Sequence, residues 1–272
     1  MVRSLWSAAT GMNAQQTNVD TIANNLANVN SAGYKAQKAQ FKSLLYQTLQ
    51  STTTTANGEP KPTTSQVGLG VRTSSINNIY TQGSLLESQS DTSFAIEGDG
   101  FFAVRGDDGT TFYTRNGDFT WAIGENGGMT LTNQDGLPVL SSTGRAITLN
   151  RTYIANRITI SQEGEVCYPD ADNNPQPVGL KIGVYQFSNA GGLERYGDTL
   201  LMATDASGNA INEDTNDNVR KSRILQGYLE GSNVSVADEM VNLIVAQRAY
   251  EMNSKAITTS DSMMETANSL KR

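Results

Sequence analysis

Apolar side chains recur at intervals of seven residues near the start of the chain, which predicts an amphipathic helix over residues 4–29. Such a repeat is typical of the a/d seam of a coiled coil. The segment has no proline, and Gly33 is expected to end the helix because glycine readily takes the left-handed C′ conformation. The two rows of the seam, three residues apart, are Leu5, Met12, Val19 and Leu26, and Ala8, Gln15, Ile22 and Val29.

A second repeat of seven residues predicts a helix over residues 235–268. Asp238 and Glu239 fall in its first turn, where the helix dipole favours negative charge. The small side chains beside the row, such as Ala246 and Ala249, would let another helix approach closely. Each apolar row needs a partner: the two helices could pair with each other, with the helices of other copies, or with both. The row consists of Val236, Leu243, Tyr250, Ile257 and Met264.

Between the helices, a polar arm at 47–66 is followed by a strand-rich region. The arm is rich in Thr and Ser, contains two prolines, and has too few apolar residues to fold alone. Short β-favouring runs at 101–104, 111–114 and 182–185 alternate with Gly-containing turns typical of hairpins. The turn pairs are Asp108-Gly109, Asn116-Gly117, Asn126-Gly127, Asp135-Gly136 and Ser207-Gly208.

These elements predict an α+β fold that is mainly β. The N- and C-terminal helices would pack together as a coiled-coil-like core, and a sandwich-like or barrel-like β-domain would be inserted between them. The expected segments are an N-terminal helix and its signature at 1–46, the arm at 47–66, the β-domain at 67–226 and the C-terminal helix region at 227–272.

The amino-acid composition excludes several classes of function. A net charge of -7 argues against a nucleic-acid surface, which needs clustered Lys and Arg. The chain has no histidine, which excludes Ser-His and Cys-His catalysis and imidazole metal ligands, and its single Cys167 cannot form an internal disulfide. No apolar run is long enough to span a membrane, and the start lacks the apolar stretch of a secretory signal, so neither membrane insertion nor a cleaved signal is expected.

Two patterns resemble ligand sites but are better explained as turns. Residues 98–103 fit G-x-G-x-x-A, but a strand-like run follows where a dinucleotide site needs a helix. The acidic loops beginning at Asp170, Asp205 and Asp214 have no glycine at the sixth position, which an EF-hand loop requires. No pattern marks a pair of carboxylates for cleaving peptidoglycan. We therefore predict no catalytic, metal or cofactor site.

Both ends of the chain resemble the signatures of the flagellar rod and hook axial proteins. The N-terminal match spans 24–31 and 33–35, and the C-terminal match spans 227–236, 239–244 and 247–251. Residues 82–85, 98–102 and 113–117 match the middle of the family more loosely. The motif positions are Asn24, Asn25, Leu26, Ala27, Asn28 and Gly33, and Ser232, Asn233, Val234, Gln247, Arg248, Ala249 and Tyr250.

Within the family, residues 4–6, 11–12 and 46–62 are similar to the members that form the distal rod. Hook members lack the insertion at the arm, and proximal rod members diverge more at the N-terminus. A hook-type axial protein remains an alternative. An enzyme or adhesin that uses the same export route is a further one.

The resemblance implies a structural, non-enzymatic subunit that needs no cofactor. Many copies would form a helical tube around an export channel, with the terminal helices as its core. Its partners would be proximal rod proteins, hook or hook-junction proteins, the surrounding ring or bushing proteins and the flagellar export apparatus, and its place the basal body in the cell envelope. The expected assembly interface is Leu5, Met12, Val19, Ile22, Leu26, Val29, Val236, Leu243, Tyr250, Ile257 and Met264.

Overall fold

A computed structural model describes residues 2–50, 65–124, 127–170, 174–197, 199–216 and 218–270. Helix α1 spans Val2–Ala27 and helix α2 spans Val236–Ser269. Most of the predicted arm lies outside the described residues. The strands are β1 (Gln37–Ser43), β2 (Tyr46–Gln50), β3 (Ser65–Gly68), β4 (Val71–Asn78), β5 (Leu85–Glu87), β6 (Phe94–Glu97), β7 (Phe101–Arg105), β8 (Thr111–Thr114), β9 (Thr120–Ile123), β10 (Met129–Thr132), β11 (Thr148–Leu149), β12 (Thr159–Ile160), β13 (Glu165–Pro169), β14 (Pro175–Lys181), β15 (Val184–Gln186), β16 (Glu194–Gly197), β17 (Leu200–Met202), β18 (Ile211–Asn212), β19 (Arg223–Gln226) and β20 (Tyr228–Glu230).

The chain folds as two compact units. The helical unit contains the described parts of 1–27, 37–78 and 235–272, and the β unit contains those of 28–36 and 79–234. Each unit is therefore discontinuous in sequence. Two helices at the chain ends with a strand-rich region between them confirm the predicted order of elements.

In the helical unit, α1 and α2 pack against each other and run antiparallel. Ser4 Oγ lies 3.2 Å from Ser260 Oγ, and Gly11 lies beside Asn253 further along the pair. A Cβ atom added to Gly11 would lie 2.9 Å from Asn253 Nδ2, so the glycine permits the close approach of the helices. The intramolecular pair, one of the two alternatives left open by the sequence, is thus present in the subunit.

The start of α2 follows local capping chemistry, whereas α1 ends earlier than predicted. The N–H groups of the first turn of a helix have no partner within the helix. One of them, the Asp238 N–H, donates to Ser235 Oγ, so Ser235 caps α2. Helix α1 ends at Ala27, two residues before the predicted end. The chain then turns through 28–33, where the Ser31 N–H donates to Asn28 O. Val29 therefore lies beyond α1, and its expected place on the helical seam is wrong.

Four strands of the described residues complete the helical unit. β1 pairs antiparallel with β4, and β2 pairs antiparallel with β3. The Val71 N–H donates to Thr10 Oγ1 at 3.3 Å, which ties the start of β4 to α1. β2 and β3 flank residues 51–64, so the two ends of the predicted arm at 47–66 lie in a two-stranded ladder.

The β unit is built around an antiparallel sheet of six strands in the order β16-β17-β8-β7-β15-β18. Its central strands are the apolar runs predicted from the sequence, and Gly109 takes a positive φ of 78° in the tight turn that joins β7 to β8. The sheets formed by the described strands are all open, so the barrel-like form of the prediction is wrong.

The main core of the β unit is aromatic and aliphatic. Phe102 is fully buried and meets Phe119 edge to face, with ring centroids 5.2 Å apart. A second cluster around Phe101 packs on the other side of the sheet because successive strand residues point to opposite faces. The buried members of the main core are Phe94, Ile96, Phe102, Val104, Phe112, Phe119, Leu131, Val139, Ile147, Ile160, Ile182, Val184, Leu200 and Ile224.

Candidate functional site

The inner face of α2, which is the side packed on α1, carries small or polar side chains at intervals of seven. Ala246 and Ser260 are buried, and Asn253 between them is half-buried beside Gly11. Ser260 Oγ also donates to Ala256 O one turn earlier. Small side chains at these positions allow close packing of the two backbones, as in knobs-into-holes packing with short knobs.

The opposite side of α2 is apolar and exposed. We define the outer face as Met240, Val241, Ile244, Val245 and Met252, whose side chains are 52 to 65% exposed. With 3.6 residues per helical turn, these positions lie on the side of α2 opposite Ala246. Single exposed apolar residues are ordinary, but a row along one face marks an interaction surface. The predicted row of seven-residue spacing did not include any of these residues.

The residues of the expected assembly interface are placed as follows. Those on α1 and α2 belong to the same helical unit, in which the two helices pack against each other. Val29 belongs to the β unit. Whether other copies also contact them stays a prediction. Ile22 is buried; Leu5, Met12, Val19, Leu26, Val29, Leu243, Ile257 and Met264 are half-buried; Val236 and Tyr250 are exposed.

Two asparagines near the end of α1 hold the chain as it returns to the helix. Asn25 is buried, and its side-chain amide makes two hydrogen bonds with the backbone of Gln37, donating to O and accepting from N–H, each at 2.8 Å. Asn24 Nδ2 donates to Gln37 Oε1 at 3.1 Å. A side chain with both a donor and an acceptor is required for the paired contact, which explains asparagine at position 25. Leu26 and Asn28 are half-buried, and Ala27 is exposed.

Asn233 plays a similar part in the β unit. Its Oδ1 accepts from the Ala36 N–H at 2.7 Å, and its Nδ2 donates to Ile79 O at 2.8 Å and to Thr81 Oγ1 at 2.9 Å. The side chain therefore joins the end of the N-terminal motif to the chain after β4. Ser232 Oγ accepts from the Val234 N–H at 3.3 Å.

The remaining motif residues lie on α2. Gln247 and Arg248 are exposed and Ala249 is half-buried. Arg248 pairs with Glu251 at 2.9 Å on the surface, a type of ion pair that contributes little to stability. The motif is thus divided between asparagines that hydrogen-bond to other segments of the chain and residues on the surface of α2.

Three buried charged residues form a charge cluster in the β unit: Lys35, Arg115 and Glu230. Lys35 Nζ lies 2.6 Å from Glu230 Oε1, and Arg115 Nη1 lies 3.2 Å from Glu230 Oε2. The three side chains are 4%, 2% and 0% exposed, respectively. Charges are rarely so deeply buried unless they are paired and hydrogen-bonded.

The surroundings satisfy most of the polar atoms of the charge cluster. Lys35 Nζ also donates to Thr81 O at 2.8 Å, and the Gly83 N–H donates to Glu230 Oε1 at 3.0 Å. Arg115 Nη2 donates to Gly98 O at 2.8 Å, and its guanidinium carbon lies 4.9 Å from the centre of the Phe101 ring. Arg115 Nε is buried and has no hydrogen-bond partner among the described residues.

Burial lowers the pKa of Lys35 below its usual 10.5, and the nearby Glu230 carboxylate opposes this shift. With two cations around one carboxylate, the charge cluster has a formal surplus of one positive charge. Sequence reasoning missed the charge cluster. A signal existed, because each member lies inside one of the three matched segments at 33–35, 113–117 and 227–236.

The described segments that were considered as possible ligand or reactive sites adopt ordinary structure. Residues 98–100 join β6 to β7, which begins at Phe101, so a strand follows the glycines, as predicted. Burial, with Glu165 and Glu163 nearby, raises the pKa of the Cys167 thiol, which keeps it protonated and weakly nucleophilic. Across the described ranges, no group of His, Cys, Asp and Glu has the arrangement of a metal site. Neither described helix has the length and apolar character needed to cross a bilayer.

Three family profiles match parts of the chain. Residues 5–35 match the family described as flagella basal body rod protein, and residues 95–168 match the flagellar hook protein FlgE/F/G D1 domain. Residues 225–270 match the C-terminal family of the flagellar basal body rod FlgEFG proteins. These matches confirm the resemblance predicted from the two terminal motifs.

Full-length relatives agree with these profiles. The flagellar basal-body rod protein FlgG of Borreliella burgdorferi is 45% identical over the whole of both chains. That of Agrobacterium fabrum is 41% identical over 96% of this chain and 97% of its own, and that of Bacillus subtilis is 35% identical over the whole of both chains. With this identity along its full length, the chain belongs to the family of FlgG flagellar basal-body rod proteins.

Proposed function

We propose that the chain is a structural subunit of the flagellar basal body that polymerises through its terminal helices into the rigid distal rod. The rod would transmit motor torque to the hook and enclose the export channel. The observation that carries this proposal is the outer face of α2, an exposed apolar row on a helix whose other side is already packed on α1. Membership of the FlgG family supports the same role.

Helix packing gives the physical argument for polymerisation. The apolar side of an amphipathic helix normally faces a core or a partner rather than water. Within the subunit, α2 packs through Ala246 and Ser260, and its outer face is exposed around Ile244. A second copy would cover that face. The expected interface residues, including Leu26 and Leu243, would then extend a coiled-coil-like packing from one subunit to the next.

Such contacts produce a filament when they join different surfaces of neighbouring copies and the rotation does not close. We propose that each subunit comprises an N-terminal segment at 1–46, the arm at 47–66, the β-domain at 67–226 and the C-terminal helix region at 227–272. Proximal rod, hook or hook-junction, ring and export proteins are its proposed partners in the basal body. The role needs no cofactor and no catalytic step, and the purified protein should not cleave peptidoglycan.

The polar arm at 47–66 would stiffen the rod by ordering between subunits. Leu45, Tyr46 and Leu49 lie at or near its N-terminal side and are 51 to 83% exposed. Apolar side chains exposed beside a polar segment would be covered when that segment meets a neighbouring copy. Deletion of 47–62 should give rods that bend, seen as curvature in electron micrographs. A mutant rod as straight as the wild type would contradict this role of the arm.

A hook-type axial protein is the second candidate, because one matching profile spans hook and rod proteins alike. Electron microscopy of polymers grown from the purified protein separates the two. Straight tubes of uniform diameter are expected of the rod, and curved flexible tubes of the hook. Persistent monomers that bind a surface target, or that degrade peptidoglycan, would instead favour an adhesin or an enzyme and would reject both axial roles.

A further inference from the structure

The charge cluster joins three stretches that are far apart in the sequence. Besides the Lys35 ion pair, Glu230 accepts a backbone hydrogen bond from the Gly33 N–H at 2.7 Å and a side-chain bond from the Gly83 N–H at 3.0 Å. Lys35 and Glu230 are 195 positions apart. One carboxylate residue therefore fixes the segment after α1, the segment after β4 and the last strand before α2.

All of these contacts belong to the β unit. Residues 28–36 are part of this unit although they follow α1 directly in the chain. Arg195 Nη2, from β16, donates to Lys35 O at 2.9 Å, and the Arg195 guanidinium carbon lies 5.1 Å from the centre of the Tyr34 ring. None of the described partners of Lys35, Arg115 or Glu230 lies on α1 or α2.

From this arrangement we propose that the charge cluster is a conformational lock that closes in the unassembled subunit, whether or not the two long helices are paired. It holds the segments adjoining both helices on the β unit. The helices can then order or reorder on assembly while their points of attachment stay fixed. This inference goes beyond the proposed rod function and does not depend on it, since it concerns the isolated subunit.

The surplus positive charge makes the lock asymmetric. Removal of the Glu230 charge leaves Lys35 and Arg115 buried without a carboxylate partner, which is strongly unfavourable. Removal of the Lys35 charge leaves one cation and one carboxylate, a balanced pair. The Glu230 substitution should therefore open the lock more than the Lys35 substitution, although each deletes one partner of the same 2.6 Å contact.

Hydrogen exchange on the dilute, monomeric full-length protein tests the lock directly. The amides of Gly33 and Gly83 report it, because each donates to Glu230. In Glu230→Gln, both should exchange at least tenfold faster, and in Lys35→Met, both should exchange faster by a smaller factor. The matched control is Glu87→Gln, which removes an exposed carboxylate from the strand paired with β20 and should change neither amide.

Ala246→Asp tests independence from the helices. It places a charge at a position 1% exposed in the helix pair, so the amides of α2 should lose protection. Gly33 and Gly83 should keep their wild-type protection within about twofold. If they lose protection together with α2, the lock depends on helix pairing and the proposal is wrong.

Two other results would overturn the proposal. One is an effect of Glu230→Gln on only one of the two glycines, since a single lock must release both. The other is a loss of protection in Lys35→Met equal to or larger than that in Glu230→Gln. If Glu230→Gln also loses protection at Phe102 in the six-stranded sheet, it has unfolded, and Lys35→Met compared with Ala246→Asp carries the test. Failure of the lock in these monomers would leave rod assembly untouched, and failure of polymerisation would leave the lock untouched.

Discussion

Replacement of Ile244 and Val245 by serine should weaken polymerisation without weakening the subunit. The two side chains are 56% and 62% exposed on the outer face of α2, so the folded monomer gains little from them. Serine has nearly the same helix propensity as isoleucine and valine, so the helix itself should be preserved. The free energy of unfolding of the monomer should change by less than about 0.5 kcal/mol in urea titrations, as for other exposed sites.

The magnitude follows from the exposed fractions. Full burial of a Val or Ile side chain contributes about 1.5–3 kcal/mol, so covering the exposed part of each residue contributes about 1–1.5 kcal/mol. The double substitution Ile244→Ser/Val245→Ser should therefore remove about 2–3 kcal/mol per subunit contact. Since 1.4 kcal/mol is a factor of ten, the critical concentration for polymerisation should rise roughly 30- to 140-fold.

The assay is sedimentation of polymers over a series of total protein concentrations, with the soluble concentration measured at equilibrium. Ile123→Ser is the matched control, because this isoleucine is 80% exposed but lies on β9 in the β unit. The control should leave the critical concentration unchanged. A double variant that polymerises at the wild-type concentration would refute the assignment of the outer face as an assembly surface.

Three other predictions concern the stability of the subunit. Gly33→Ala should lower the free energy of unfolding in urea by more than about 2 kcal/mol, because φ is +70° and the new Cβ would lie 2.6 Å from the carbonyl carbon of Arg115. Gly109→Ala is the control: φ is +78°, but a Cβ there would meet open space, so the cost should be only about 1 kcal/mol. Equal losses would refute the steric reasoning. Phe102→Ala should cost about 3–5 kcal/mol in the same assay, and a loss below about 1 kcal/mol would contradict its place in the core. The pKa of Lys35 is lowered on folding, so in the pH range just below 10.5 the unfolded chain binds more protons at this site than the folded chain does. The free energy of unfolding of the wild type, relative to that of Lys35→Met, should therefore increase as pH rises through that range. A difference that stays flat or falls with pH would show that the lysine is not desolvated.

The terminal helices could be predicted from the sequence because their signal is local and periodic. The seven-residue rows gave both spans to within two residues, and Asp238 and Glu239 lie in the first turn of α2 as expected. The end of α1 was placed too late because the turn at 28–33 depends on tertiary contacts, such as the Gly33 N–H to Glu230 O bond. Turn chemistry likewise gave the β7–β8 hairpin through Gly109, but the order of six strands depends on pairings distant in sequence.

The candidate site was harder to predict. The seven-residue repeat identifies only one row of positions on α2. Ile244 and Val245 are exposed and lie outside that row, so the repeat did not predict them as interface residues. Lys35, Arg115 and Glu230 look like ordinary solvated charges in the sequence. Only the folded arrangement shows that they are buried together, since no local pattern links positions 195 residues apart.

Because Glu230 belongs to the last strand before α2, the β unit can be completed only after nearly the whole polypeptide is available. A chain that emerges N-terminus first, from a ribosome or from a narrow conduit, would display Lys35 in water for a long interval before its carboxylate arrived. Contacts of such long sequence separation slow folding, because loop closure must precede any gain in energy. A premature stop codon anywhere before position 230 would consequently harm the opposite terminus as well as the one it removes.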